Sequence, residues 1–482
     1  MILSKQRRTK IIATLGPSLD DPSMMEKILQ AGVDMVRANF SHGTASDHAK
    51  RIQSARNCAE KLGHEIGVLA DLQGPKIRIA RFQQGHIFLE VGAEFILDAN
   101  LPSDKGNEKH VGIDYKELPN DVHQGDRLLL DDGRLILIVK EVQGSCIHCI
   151  VEVGGKLSNN KGINRQGGGL SAAALTEKDK EDMKTAVALG IDYIAISFPR
   201  SAADIHEARH LLEELGSTAR IIAKIERAEA IKAIDEIIEA ADAVMVARGD
   251  LGVEIGDAEL PAVQKHIIHQ ARTLNKAVIT ATQMMESMIH NTIPTRAEVF
   301  DVANAVLDGT DAVMLSAETA TGLYPDKVIE AVSRICLSAE KHPSSYTSRH
   351  RVECYFQRVD EAIAMATMYT ANHMNIKAII ALTESGVTPL WMSRIRSGIP
   401  IYGLSRHIPT LRLMSLYRGV FPVYFDFENL QDTEIEQNAI ATLLKQCIVR
   451  QGDWIIITRG KHMGVHGGTN AMKIIQVPHS ID

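Results

Sequence analysis

From residue 11 to residue 341, short apolar runs alternate with longer stretches of helical spacing that end near a glycine. The runs are Ile11–Leu15, Val33–Asn39, Ile66–Asp71, Ile191–Phe198, Ile221–Glu226, Ala243–Arg248, Ala277–Thr282 and Ala312–Ser316. They are apolar throughout rather than alternating, the pattern of strands covered on both faces. The stretches between them carry helix start and stop signals. Pro22 suits a first helical turn, and Gly32 closes that helix. Thr176 with Asp179 resembles a capping box, and Gly190 ends that segment. Eight such units in series predict an α/β fold, a (β/α)8 TIM barrel, more readily than an open sheet.

The third unit is interrupted. Between Asp71 and Thr176 the pattern changes to short strands and tight turns, over Phe88–Val91, Phe95–Asp98, Arg127–Leu130, Leu135–Val142 and Cys146–Val153. Asp132-Gly133 between apolar runs is a hairpin signal. This predicts a small all-β domain, residues 72–169, inserted as a lid, with Gly162–Gly169 on its return path. The barrel then takes residues 1–71 and 170–344. Beyond it, Ala378–Leu382, Ile401–Leu404, Val420–Phe425, Trp454–Thr458 and Ile474–Val477 read as strands with helices between most of them. They predict a C-terminal α/β domain over residues 345–482.

Composition narrows the class. At 482 residues, two or three domains are expected. The net charge of −7 and the lack of a long basic run argue against nucleic-acid binding. There is no apolar stretch of about 20 residues, so no membrane span is expected. The start, MILSKQRRTKIIATLG, has no signal-type apolar core. Six sparse cysteines, at positions 58, 146, 149, 336, 354 and 447, suit a reducing cytosol, and a cytoplasmic location is expected.

In such a barrel, catalytic groups gather at the carboxyl ends of the strands. Six of the eight ends carry candidates. They are Arg37, Asn39 and Ser41; Asp71; Lys224 and Glu226; Arg248, Gly249 and Asp250; Thr282 and Gln283; and Ser316 and Glu318. Any one of these could be a helix cap or a rim ion pair; six ends together make that reading poor. Arg37 and Lys224 are cations suited to phosphate or carboxylate oxygens. Glu226 and Asp250 are carboxylates on neighbouring strands, and a few carboxylates plus substrate oxygens usually hold Mg2+. Gly249 permits close approach of backbone N–H groups to an anion. Thr282 and Ser316 are hydroxyls able to relay a proton. The set points to metal-assisted handling of a phosphorylated or carboxylated small molecule.

Three motifs read as decoys. His206-Glu-Ala-Arg-His210 matches the zinc-protease pattern, but it falls in the outer helix after the fourth strand, and Arg209 sits where an apolar residue would be expected. Cys146-Ile-His-Cys149 is a lone CxxC pair in a β segment. Asp131-Asp132-Gly133 is chiefly a turn, with a minor role near the nucleotide left open.

At these residues the chain closely resembles the pyruvate kinase family, in the branch that works without potassium. The matching stretches are Arg37-Ala-Asn-Phe-Ser-His42, Asp71-Leu-Gln-Gly-Pro-Lys-Ile-Arg78, Ile222-Ala-Lys-Ile-Glu226, Met245-Val-Ala-Arg-Gly-Asp-Leu-Gly-Val-Glu254, Ala281-Thr-Gln-Met-Met-Glu-Ser287, Pro294-Thr-Arg-Ala-Glu298 and Met314-Leu-Ser-Ala-Glu-Thr319. The resemblance implies phosphoryl transfer from phosphoenolpyruvate to ADP, giving pyruvate and ATP. It implies that Glu226 and Asp250 hold Mg2+ or Mn2+, and that Lys224 and Arg37 face the phosphoryl group. Gly249, Asp250 and Thr282 would hold the substrate carboxylate. Thr282, Ser316 and Glu318 would serve enolate protonation. Asn39, His42, Arg78 and Lys161 would lie toward the nucleotide. A homotetramer is also implied.

Two departures refine the resemblance. Potassium-dependent members bind K+ near the positions of Asn39, Ser41, Asp71 and Leu72, and carry other residues where this chain has Leu72, Gln73 and Lys76. Lys76 is a candidate substitute for the ion beside Asp71, so K+ is not expected to be required. In the last domain, Thr383, Ser385, Gly386 and Thr388 resemble an effector phosphate loop, with Gly467-Gly-Thr-Asn470 as its lid loop. Val387 leaves the loop without a basic residue, so a phosphorylated-metabolite activator is expected but its identity stays open. The alternatives are a Mg2+-dependent barrel lyase or aldolase with an enolpyruvate-type intermediate, and a silent metabolite sensor.

Overall fold

A computed structural model describes residues 7–346, 355–428, 430–460 and 467–478. Cys354 and the first six residues of the opening stretch lie outside the described residues. The eight strands expected from the sequence close into a parallel barrel: Lys10–Thr14, Met35–Asn39, Gly67–Asp71, Tyr193–Ile196, Arg220–Ile225, Ala243–Ala247, Ala277–Ala281 and Ala312–Leu315. The first strand pairs with both the second and the eighth, which completes the closure. Six of the strands are shorter than their apolar runs because the outermost residues turn into loops or helix starts, and the first and fifth are shifted one residue earlier at equal length. Arg248, Gly249 and Asp250 open the helix Arg248–Ile255 instead of ending the sixth strand.

The helix signals hold. Asp21 caps Pro22–Ala31 through the Ser23 N–H, and left-handed Gly32 ends it. Thr176 and Asp179 form a reciprocal capping box on Glu177–Ala188. Asp serves there as Glu would, because its carboxylate reaches the Thr176 N–H at 2.9 Å.

The inserted segment forms a six-stranded sheet and a separate two-stranded ribbon. Three of its strands, His110–Gly112, Gly155–Ser158 and Ile163–Arg165, escape the sequence pattern because they are too short to show alternation. The first strand runs His86–Leu89, two residues earlier than the apolar run at Phe88–Val91 indicates. Ile87 and Leu89 point into the domain core while Phe88 and Val91 are exposed. At Gly154 a Cβ would lie 2.3 Å from the Leu89 carbonyl, so the ribbon requires glycine there. The hairpin at Asp132-Gly133 has Asp131, Asp132 and Gly133 all at positive φ.

The last domain is a five-stranded sheet built from Ile376–Leu382, Ile401–Ser405, Val420–Tyr424, Trp454–Gly460 and Thr469–Gln476. It docks under the barrel floor. Inward barrel residues Ile12, Met35, Leu69, Ile222, Met245, Ile279 and Met314 share one buried apolar cluster with Leu411, Met414 and Val420. The Tyr193 hydroxyl donates to the Leu413 carbonyl at 2.9 Å, tying the floor to the helix Ile408–Met414.

Two of the decoys lie apart from the barrel mouth. His206 and His210 are exposed on the helix Ala202–Glu214, where His210 faces Glu214 at 3.2 Å. Arg209 of the same helix pairs with Asp242. Cys149 is a buried strand residue whose thiol is pushed up to about 12 by burial.

Candidate active site

The carboxyl ends of the barrel strands carry a continuous chain of charge. Lys224, at the end of the fifth strand, is buried and held by three acceptors. Its Nζ lies 3.1 Å from Asp71, 2.9 Å from Glu226 and 2.7 Å from the Ser197 hydroxyl. Arg37 donates to the other Asp71 oxygen at 2.7 Å and to Thr14 Oγ1 at 3.1 Å. One carboxylate thus binds two cations drawn from strands two and five.

Burial pushes the Asp71 carboxyl up, but Lys224 and then Arg37 outweigh it and hold it below its ordinary value. Burial likewise opposes the Lys224 charge; Asp71 and Glu226 overcome it and keep the ammonium well above its ordinary value. Lys224 is therefore a fixed positive centre and not a base near neutral pH. Glu226 is pushed up by burial, with the nearby charge of Asp250 adding to the push. Its Oε2 accepts the Phe198 N–H at 2.9 Å, a bond made possible by the left-handed backbone of Phe198 at φ +56°.

The other side of the mouth is built around a second backbone feature. Thr282 and Gln283 are consecutive non-glycine residues at positive φ, +67° and +52°. Such conformations are costly and persist where surroundings impose them. Arg248 imposes this one: it donates to the Thr282 carbonyl at 2.6 Å and to Asp301 at 2.6 Å. The Thr282 hydroxyl accepts the Gly249 N–H at 2.8 Å and donates to the Ala281 carbonyl at 2.6 Å. Asp250, next along the helix, pairs with Lys76 at 3.2 Å. Glu318 is buried and accepts from the Ser316 and Met285 backbone N–H groups.

Two likenesses now decide the family. The pyruvate kinase barrel-domain model matches residues 6–329, and the pyruvate kinase alpha/beta-domain model matches residues 361–475. The chain belongs to the pyruvate kinase family. It is similar to pyruvate kinase II of Salmonella typhimurium, 56% identical over 476 residues, covering 98% of this chain and 99% of the relative. A pyruvate kinase of Haemophilus influenzae is 56% identical over 459 residues, covering 94% and 96%. The crystal structure of a pyruvate kinase from Cryptosporidium parvum matches with a TM-score of 0.93 at 34% identity, covering 98% and 97%. The chain is accordingly a phosphotransferase with the pyruvate kinase reaction, phosphoenolpyruvate plus ADP giving pyruvate plus ATP. The lyase or aldolase alternative gains no support. The pyruvate kinase family needs a divalent metal.

Other sequence candidates of this pyruvate kinase fold fall around the same mouth or on the lid. Asn39 accepts the Ser41 N–H at 3.2 Å, and His42 is exposed beside it. Arg78 donates to the Asn160 carbonyl, and Lys161 pairs with Asp131 at 2.7 Å, so the turn at Asp131 is an anchor for that lysine. Lys76 meets Asp250, whereas the sequence reading placed it beside Asp71. In the last domain Thr383 bonds the Gly386 N–H, and Thr388 meets Thr469 at 2.8 Å, which joins the two loops that the sequence paired. Glu384 of that loop is bound by His407 at 2.5 Å.

Sequence reasoning missed Thr14 and Ser197. Thr14 ends the first strand and Ser197 follows the fourth, the two ends left without candidates. The strand-end rule that found Lys224 would have found both. Ser197 Oγ donates to the Leu72 carbonyl at 2.7 Å and receives Lys224, so it carries the site to the lid hinge.

Proposed function

We propose that phosphoenolpyruvate reacts at this mouth beside Arg37 and Lys224, with Mg2+ or Mn2+ held by Glu226 and Asp250. The observation that carries the assignment is the linked set Arg37–Asp71–Lys224–Glu226, three of whose side chains are almost fully buried. The donor set suits a hard divalent cation. Glu226 and Asp250 crowd negative charge that such an ion would relieve, and two carboxylates leave room for substrate and water oxygens. Among the described residues no group of three or more His, Cys, Asp or Glu gathers to make an all-protein metal cage. The bound cation supplies charge stabilisation to the enolate oxygen and the phosphoryl group.

The chain's own residues do the rest. Phosphoryl transfer passes through a loose transition state, so catalysis is chiefly positioning and charge. Lys224 presents a permanently charged ammonium whose direction is fixed by three acceptors. Arg37 is aimed by Asp71 and Thr14. Thr282, with the Gly249–Asp250 helix start, receives the substrate carboxylate. Its hydroxyl proton points to the Ala281 carbonyl and must rotate away before it can serve the enolate. Ser316 stands next on that route, and Glu318 orients its backbone. Asn39, His42, Arg78 and Lys161 meet the nucleotide as the lid closes.

Lys76 acts as a resident cation beside Asp250, and potassium is not required. The loop of Thr383, Ser385, Gly386 and Thr388 receives a phosphorylated metabolite that activates the enzyme. The enzyme works as a homotetramer in the cytoplasm. The metal assignment is tested with Asp250→Asn in an assay coupled to pyruvate release. The Mg2+ concentration for half-maximal rate rises at least about tenfold, the size expected when a ligand is lost. An unchanged metal requirement would remove Asp250 from the metal site.

A further inference from the structure

The seam between the barrel and the last domain gathers five arginines, far from the chemistry just described. Arg8 comes from just before the first strand and Arg272 from the end of the helix Leu260–Thr273. Arg394, Arg396 and Arg418 come from the last domain. A cavity of about 20 Å3 opens among them, lined by Arg8, Arg272, Arg396 and Arg418 with three serines and with apolar side chains, Met368 and Ile395 among them. Among the described residues no aspartate or glutamate lines it.

The nearby carboxylates are committed elsewhere. Asp311 binds Arg394 in a fully buried pair and accepts the Val278 and Arg418 backbone N–H groups. Glu340 accepts from the Arg8 and Thr9 backbone and the Thr9 hydroxyl, its carboxylate 3.6 Å from Arg8 Nε. Asp308 faces Lys265 and Gln264. Among the described residues, Arg272, Arg396 and Arg418 hydrogen-bond to main-chain carbonyls. Arg272 donates to Arg394 O at 3.0 Å. Arg396 donates to Ser344 O at 2.7 Å and Leu307 O at 3.1 Å, and Arg418 to Thr310 O at 2.9 Å. Carbonyls satisfy the N–H groups but do not cancel the charge. Burial, and then the neighbouring Arg396, Arg394 and Arg418, push the Arg272 guanidinium down to about 9.

We propose that the seam cavity binds one small inorganic anion of halide size, chloride in solution, which neutralises the arginine cluster and fastens the last domain to the barrel. The size selects the class. The cavity has room for about one water-sized particle, which suits a halide better than the larger phosphate. The arginine forks supply charge-assisted donors from both domains at once.

The test is thermal unfolding of the full chain at constant ionic strength, with chloride exchanged for gluconate. Chloride raises the Tm by about 2–4 °C, and the rise saturates as site binding requires. Arg272→Met loses this response while keeping its turnover. Equal Tm in both anions, or an undiminished response in Arg272→Met, overturns the proposal. The chloride-35 NMR linewidth of the unmodified chain needs no variant. Saturable broadening displaced by bromide is expected, and its absence overturns the proposal.

Discussion

Replacing Lys224 by Met keeps the length of the side chain and removes its charge. In the structure that charge sits at 2.7–3.1 Å from Ser197, Glu226 and Asp71 and faces the mouth. A unit charge about 4 Å from a developing charge is worth about 4 kcal/mol at an effective dielectric constant near 20. Loss of that interaction in the transition state alone lowers kcat by about 10²–10³, or about 3–4 kcal/mol. Binding of phosphoenolpyruvate changes little, because Arg37 and the proposed metal ligands Glu226 and Asp250 remain. The substitution also strips Glu226 of its cation, while Asp71 keeps Arg37. Breaking a buried pair costs about 3–5 kcal/mol, and the retained Arg37 places this case toward the lower figure. The check is a steady-state assay coupled to pyruvate release, run beside a thermal melt so that folding loss is separated from rate loss. A variant with near-normal kcat would show that Lys224 is structural, and the assigned mechanism would fall with it.

Three further outcomes are expected. With tetramethylammonium as the only monovalent cation the rate stays within about twofold of that in K+, since Lys76 supplies a fixed charge at 3.2 Å from Asp250; a collapse in rate refutes this. Glu254 is pushed up to about 7 by burial, with Glu229 adding to the push and the Ala228 N–H and Arg227 opposing it. Its contribution to stability is full below the ordinary value of 4.5 and is lost as pH rises toward 7. Glu254→Gln therefore flattens the Tm profile between these values and gains at most about 3 kcal/mol at pH 8; an identical profile in both proteins refutes it. Arg394→Met leaves Asp311 buried without a cation and lowers stability by about 3–5 kcal/mol in urea unfolding, whereas a loss below about 1 kcal/mol would show that the backbone N–H groups suffice for Asp311.

The barrel was legible because its strands are buried on both faces and so stand out as unbroken apolar runs. The lid was less so. Its strands are three to nine residues long, and at Phe88 the apolar residue points outward, which shifted the expected register. Charge clusters at strand ends could be read because barrel geometry brings every such end to one rim. What could not be read was the backbone. Nothing in the residue types of Phe198, Thr282 or Gln283 announces a left-handed conformation; it follows from Glu226 and Arg248 pulling on groups far away in sequence. Partner choice was equally hidden, as with Lys76, which reaches Asp250 across the lid hinge instead of the nearer-numbered Asp71.

The apolar cluster that runs from the barrel floor into the last domain has a practical consequence. The catalytic half cannot be cut free as a minimal enzyme at residue 345. A shortened chain would expose the greasy underside of its own barrel around Tyr193 and the Ile408–Met414 contact, and would be prone to clump. For the same reason a ligand on the far domain needs no dedicated relay to be felt above. Any repacking there disturbs side chains that also line the inside of the strands whose tips carry the candidate site.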